Sequence, residues 1–312
     1  MRYPKISQLK IPETYSLEET GCTQSLARCF RQCPRKFLFK INRWQSKKDQ
    51  EKYAIGNINH DCLSCIYKEG IYNVDKSIKN ESEKYCYIEK SKLEFYKTIS
   101  QCILEKYIQY YKDDFKTAKF TNTEREFAVD INGIRWRGKI DGEYTVKKDK
   151  SLWVLETKNK SRINDETIMK GLCFDFQGRL YCKANEVESG KKTAGFIYNV
   201  IRIPQMRLRQ NDTLEMFSQR LRDDIDKRPE YYFMRWDVPL TEQDKKEFDQ
   251  DVDLLTTELD RFIDFNGCWK IKNTFSCSDL ISPCEYLDAC IQGHMGGYYQ
   301  SEKIFNELGC GL

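Results

Sequence analysis

Asp141, Glu156 and Lys158 stand out in this 312-residue chain for the company they keep. Glu156 interrupts the otherwise apolar stretch LWVLETK, and Asp141 follows Ile140 with a glycine close on either side, at 138 and 142. Residues two apart on a strand project from one face, so Glu156 and Lys158 share a face while Thr157 points away and leaves its carbonyl near them. A turn centred near Asp149 brings Asp141 across the ladder to this segment. Two carboxylates and a carbonyl are hard oxygen ligands suited to Mg²⁺ or Mn²⁺, and such an ion can polarise a phosphodiester. Lys158 adds a positive charge that can orient the attacking water.

These residues need a scaffold, and the periodicity of the chain supplies one. The segment from Cys22 to Trp44 reads as helical, broken near Cys33-Pro34 because proline suits the first turn of a new helix. Helical patterns recur at about 50–72 and 81–113. The period then changes: EFAVDINGIRWRGKIDGEYTV alternates around Asn132-Gly133, a dipeptide that tolerates the positive φ angles of a tight hairpin. A second hairpin joins GKIDGEYTV to LWVLETKNK through KKDKS. Asn164 then caps a helix whose apolar side is Ile168, Met169, Leu172, Cys173, Phe176 and Leu180. The strand TAGFIYNVI returns to the sheet, an amphipathic helix covers 241–264, and the final fifty residues look irregular. Helices, a three-strand meander, a helix and a strand predict an α/β fold with a central mixed sheet flanked by helices. No linker or low-complexity stretch divides the chain, so one domain over 1–312 is expected: a helical part (1–120), a core (121–205), and C-terminal helices with a cysteine-rich tail (206–312).

In this order and setting, the pattern resembles the RecB-like exonuclease group of the PD-(D/E)XK nuclease superfamily. Gly56 and His60 in AIGNINH match the group's glycine-then-histidine motif, Glu126 in EREF its acidic residue before the aspartate hairpin, and Gln177 and Tyr181 in FQGRLY its QxxxY motif. The resemblance runs from Gly56 to Tyr181 and implies a restriction-endonuclease-like core. It implies metal held by His60, Asp141, Glu156 and the Thr157 carbonyl, Lys158 as the catalytic lysine, and Gln177 and Tyr181 meeting the site or DNA from one helix face. Glu126 is supporting only.

The chain has 14 cysteines. In FSCSDLISPCEYLDACI, Cys277, Cys284 and Cys290 are spaced C-x6-C-x5-C, and RQCPRKF adds Cys33. The set resembles the split four-cysteine iron–sulfur cluster of AddB-type, CRISPR-associated and stand-alone phage-type RecB-like nucleases, although many of these have CxxC-x5-C. Thiolate-only ligation suits a [4Fe–4S] cluster or zinc. Such a cluster pins the C-terminal tail to the first helices and is structural. Cys62 and Cys65, at helical spacing, read as helix packing.

The hydrophobic fraction of 40% supports a packed core. No apolar run is long enough to span a bilayer and the N-terminal stretch lacks a signal-peptide core, so a cytoplasmic location with no membrane partner is expected. There a disulfide framework is excluded, which points some of the cysteines to metal. A net charge of +4 is too mild to argue nucleic-acid binding. Candidate DNA contacts are therefore the basic residues beside the motifs: Arg35, Lys36, Lys160, Arg162 and Arg179, which would meet phosphates without reading sequence. The chain contains no GxxxxGK[ST] loop, so unwinding would fall to a partner, a helicase or recombination protein. The expected activity is metal-dependent hydrolysis from DNA ends in recombination or repair. A non-catalytic nucleic-acid-binding module and a zinc-stabilised interaction domain are the competing readings.

Overall fold

A computed structural model of the chain describes residues 4–46, 54–69, 88–265, 272–277, 283–306 and 308. The parts of the expected helices at 50–53, 70–72 and 81–87 lie outside the described residues. The chain forms two compact units: residues 1–49, 126–139 and 243–312 in one, and 50–125 and 140–242 in the other. Strands β3 (Ala118–Ile131) and β4 (Ile134–Val146) run through both.

In the first unit, Thr23 caps helix α1 (Gln24–Gln32) by accepting from the Leu26 amide at 3.2 Å. The helix stops at Cys33, whose backbone is extended, and Pro34 occupies the first turn of α2 (Pro34–Ile41). The break expected at Cys33-Pro34 is therefore real. Strand β1 (Cys22–Thr23) pairs in parallel with the start of β4, while β2 (Trp44–Ser46) pairs antiparallel with β8 (Tyr298–Gln300). Phe30, Phe37 and Phe262 pack edge to face at 5.4–5.7 Å, which seats the long amphipathic helix Glu242–Asp264 against α1 and α2. The tail holds more order than its sequence suggests, including the helix Leu287–Gln292 and strand β8.

The β3–β4 hairpin turns on Asn132 and Gly133, with φ of 52° and 81°, the double positive values of a tight primed turn. In the second unit β4 pairs antiparallel with β5 (Leu152–Lys160) from Gly142↔Leu155 to Thr145↔Leu152, so the turn is centred close to Asp149 as expected. Strand β6 (Thr193–Arg202) lies parallel to β5, and β7 (Phe233–Pro239), absent from the sequence reading, closes the edge antiparallel to β6. The sheet order is β1-β4-β5-β6-β7, with β3 on β4, and the sheet is mixed as expected. Helices α3 (Ala54–Glu69), α4 (Lys90–Tyr110) and Leu214–Lys227 bury a core that includes Ile58, Cys62, Ile103, Tyr107, Phe217 and Phe233. Cys62 is thus a packing residue.

One expectation needs correcting. The helix after Asn164 is two helices, α5 (Asp165–Leu172) and α6 (Phe176–Ser189). Asn164 caps the first through the Thr167 amide at 3.1 Å, and Asp175 caps the second through the Gly178 amide at 2.7 Å. A carboxylate that satisfies an orphan amide is worth more at a helix start than inside a helix, so the chain restarts there. The supposed single apolar face is split: Leu172 and Leu180 are buried, but Met169 and Cys173 are exposed.

Helix α6 seats on the sheet through Gly178, where an added Cβ would lie 2.6 Å from the Phe196 ring. Gly178→Ala is expected to destabilise the protein by about 1–3 kcal/mol, because both sides of the contact are backbone or fully packed ring. A urea unfolding midpoint equal to that of the unsubstituted protein would contradict this packing.

Candidate active site

The β4–β5 ladder gives way at the point where chemistry is concentrated. Past the Gly142↔Leu155 pair, the Thr157 amide donates to Asp141 Oδ2 at 2.6 Å rather than to a backbone carbonyl. A side chain thereby ties the two strands together where they part. Helix α3 brings His60 to the same spot, with Nδ1 3.5 Å from Asp141 Oδ2 and 4.0 Å from Glu124 Oε1. His60, Glu124 and Asp141 each offer a ligand atom, all within 4.8 Å of one another, and each is half-buried. This is a set that could hold a divalent ion.

Glu124 was missed from sequence, which favoured Glu126. The two are alike in type and, by strict alternation, would share a face. Glu124, however, has φ of 50°, a left-handed backbone within a strand that departs from strict alternation, and it is Glu124 that comes to His60 and Asp141. Nothing in TEREF announces that backbone conformation.

On the facing strand, Glu156 is buried at 1% exposure and Lys158 forms an ion pair with its Oε1. Glu156 Oε2 is also buried and, among the described residues, has no hydrogen-bond partner. Burial pushes the Glu156 carboxyl up to about 8, with Lys158 opposing that rise and Asp141 adding to it. Burial also acts against the charge on Lys158, but Glu156 and Asp141 outweigh it and hold the lysine above its ordinary value. Lys158 Nζ donates to Gln177 Oε1 at 2.8 Å, and Gln177 Nε2 donates to Tyr181 Oη at 3.0 Å. Residues 177 and 181 are one turn apart on α6, so the helix forms a brace that points the ammonium group. An orphaned carboxylate oxygen, buried beside a histidine and two more acids, fits a site completed by a cation.

Thr157 and Asn159 project from the opposite face of β5 to Glu156 and Lys158. Asn59, next to His60 on α3, donates to Asn159 Oδ1 at 2.8 Å, and Asn159 donates to the Gly56 carbonyl at 3.4 Å. At Gly56 an added Cβ would meet Asn159 at 3.6 Å, an ordinary contact, so close packing does not demand this glycine.

The expected DNA contacts fare unevenly. Arg179 is only 5% exposed and its guanidinium lies 5.8 Å from the Phe174 ring centre, which removes it from the surface set. Tyr181 is likewise buried and its hydroxyl accepts from Gln177. Lys160 sits 5.3 Å over the Tyr198 ring at the end of β5, and Arg162 is exposed just beyond.

In the first unit, Cys33, Cys277, Cys284 and Cys290 line a single cavity together with Arg35, Lys36, Phe39 and Tyr286. Arg35 donates to Cys290 Sγ at 3.9 Å, and Lys36 pairs with Glu285 at 3.4 Å. Both basic residues therefore lie at the cysteine cavity. The Cys284 amide donates to the Cys277 carbonyl at 3.1 Å, and Ser276 Oγ donates to the Gln32 carbonyl at 3.0 Å beside Cys33. The four cysteines thus line one cavity, although Cys33 lies about 240 residues before the other three, and the Ser276 bond to Gln32 spans that separation.

Glu124→Ala is expected to weaken Mn²⁺ binding, followed by the paramagnetic resonance of free Mn²⁺, by about tenfold or more, whereas Glu126→Ala should weaken it far less. Equal effects from the two would undo the assignment of Glu124.

The described residues include no helix long and apolar enough to cross a membrane. No curated protein matches the sequence. Among solved structures, the chain is similar to a crystal structure from Eubacterium rectale named "Putative exonuclease", with a TM-score of 0.50 and 14% identity over 90% of this chain and 97% of that one, a likeness of fold. The family model of the PD-(D/E)XK nuclease superfamily matches residues 22–291, which take in both the acid cluster and the four cysteines. With its mixed sheet, its Asp141 and its Glu156-Thr157-Lys158 strand, the chain belongs to the PD-(D/E)XK nuclease superfamily.

Proposed function

We propose that the protein is a Mg²⁺- or Mn²⁺-dependent deoxyribonuclease of the RecB-like group that hydrolyses phosphodiester bonds from DNA ends. The observation that carries this reading is the convergence of His60, Glu124 and Asp141 beside a buried Glu156–Lys158 pair. Pure binding has no use for clustered acids that repel phosphate. Asp141, Glu156, His60 and Glu124 would hold the ion, with the Thr157 carbonyl as a further oxygen ligand; in an extended strand that carbonyl lies on the same edge as the Thr157 amide that Asp141 accepts from. When bound, the ion supplies Lewis-acid polarisation of the scissile phosphate.

The residues of the chain do the rest. Lys158, held by Gln177, presents a fixed positive charge where the attacking water and the phosphoryl oxygens gather negative charge. Because Glu156 balances that lysine at rest, the ammonium group is ordered before substrate arrives. Lys160 and exposed Arg162 follow directly on the catalytic strand and would meet backbone phosphates, giving salt-sensitive and sequence-tolerant binding. Strand separation falls to a partner, a helicase or recombination protein, and a role in DNA repair or recombination follows from that arrangement.

Cys33, Cys277, Cys284 and Cys290 would hold a [4Fe–4S] cluster that fastens the tail to α1 and α2. Thiolate-only ligation also suits a single zinc ion, which the metal content of the purified protein distinguishes from the cluster. Arg35 and Lys36 would offset the negative charge of the thiolates.

The deciding experiment incubates anaerobically purified protein with end-labelled linear DNA and with closed circular DNA, single- and double-stranded, in Mg²⁺, Mn²⁺ or EDTA. Metal-dependent loss of linear DNA alone is expected, with Glu156→Ala and Lys158→Ala each losing at least about a hundredfold in rate. Cleavage of circles would make the enzyme an endonuclease, and DNA binding without cleavage in any condition would leave a binding module. The same preparation should absorb near 400 nm and carry about four iron atoms per chain. Cys284→Ser is expected to lose the colour and expose the tail to protease; a colourless protein with stoichiometric zinc would refute the iron assignment.

A further inference from the structure

The sheet carries a row of polar side chains directly behind the proposed metal ligands. Thr157 on β5 is paired in register with Asn199 on β6, and Asn199 with Arg235 on β7. The three side chains are bonded in the same order: Asn199 Nδ2 donates to Thr157 Oγ1 at 3.1 Å, and Arg235 Nε donates to Asn199 Oδ1 at 2.9 Å. Asn199 and Thr157 are 0% and 2% exposed. A side-chain ladder of this kind is costly to bury unless each member is satisfied, and here each link is made.

The far end of the row reaches α3. The Arg235 guanidinium donates to both carboxylate oxygens of Asp114 at 2.8–2.9 Å, to Tyr67 Oη at 2.8 Å and to Tyr107 Oη at 2.6 Å. The two hydroxyls are 2.6 Å apart, and the guanidinium also stacks 3.5 Å over the Tyr111 ring. Tyr67 lies seven residues, about two turns, along α3 from His60. Arg235 therefore spans two elements that each bring groups to the site: β5, with Glu156, Thr157 and Lys158, and α3, with His60. A planar five-donor fork can serve Asn199, Asp114 and both tyrosines at once, which an ammonium group cannot.

We propose that Arg235 is a positioning residue that fixes α3 against β5, through Tyr67 on one side and Asn199–Thr157 on the other, so that His60 and the Glu156–Thr157 segment meet one metal ion. The proposal rests on the reading of the acid cluster as a metal site. Arg235 touches neither ion nor substrate; its effect passes through the placement of others.

Two variants cut the row at different links without removing the Arg235–Asp114 pair: Asn199→Ala on the strand side and Tyr67→Phe on the helix side. Mn²⁺ affinity, read from the paramagnetic resonance of free Mn²⁺, is expected to fall about tenfold in each. Cleavage rate at saturating Mn²⁺ should recover to within about twofold, and the double variant should lose less than the product of the single losses. Arg235→Lys, which keeps the charge but not the fork, should shift affinity in the same direction. Unchanged Mn²⁺ affinity in both variants, or a loss of rate that excess Mn²⁺ does not restore and that follows the urea midpoint, would overturn the positioning role. If the unsubstituted protein itself binds no Mn²⁺, or Glu156→Ala and Asp141→Ala leave binding intact, the metal-site reading fails and this inference with it.

Discussion

A carboxylate buried in the interior of a sheet dictates much of what surrounds it. Glu156 is almost wholly removed from water, and taking an ionised carboxylate there without a partner would cost several kcal/mol. Lys158 answers one oxygen, and the second is buried without a donor among the described residues. The lysine is then held by Gln177, the glutamine by Tyr181, and the helix that carries both is seated by Gly178 on Phe196. Each step supports the one before it, so the position of a single ammonium group depends on the packing of an entire helix.

The two faces of β5 divide the labour. One face presents Glu156 and Lys158 to α6, and the other sends Thr157 and Asn159 toward Asn199 and α3. The period of two in a strand makes this division automatic, and the three successive residues Glu156, Thr157 and Lys158 are thereby anchored from both sides. The opening between β4 and β5, held by the Thr157 amide on Asp141, gives His60 a place to reach the acids.

The cysteine cavity follows a different logic. Its residues come from opposite ends of the chain, and hydrogen bonds such as Ser276 to Gln32 and Tyr286 to the Trp44 carbonyl at 2.5 Å bring those ends together. Within 283–306, Tyr286, Ala289, Met295 and Tyr298 are buried, and the pairing of β2 with β8 and these side-chain bonds add to that packing.

Local chemistry was legible in the sequence wherever a few neighbouring residues suffice to specify it. Asn132-Gly133 makes a hairpin because both residues accept positive φ, Pro34 starts a helix because it lacks a donor, and the spacings in Glu156-Thr157-Lys158 and Gln177…Tyr181 place side chains on shared faces by geometry alone. What depended on distant residues could not be read there. That Glu124 rather than Glu126 comes to His60 and Asp141 goes with the left-handed backbone at 124, and the helix restart at 175 with a second cap, Asp175. Arg179 looks like a surface cation until α6 is laid against the sheet. Strand β7, which brings Arg235 to Asn199 and Asp114, is invisible to periodicity. Sequence determines the donors, acceptors and turns a chain can offer; only the tertiary structure, by deciding which of them lose water together, selects the ones that must find each other.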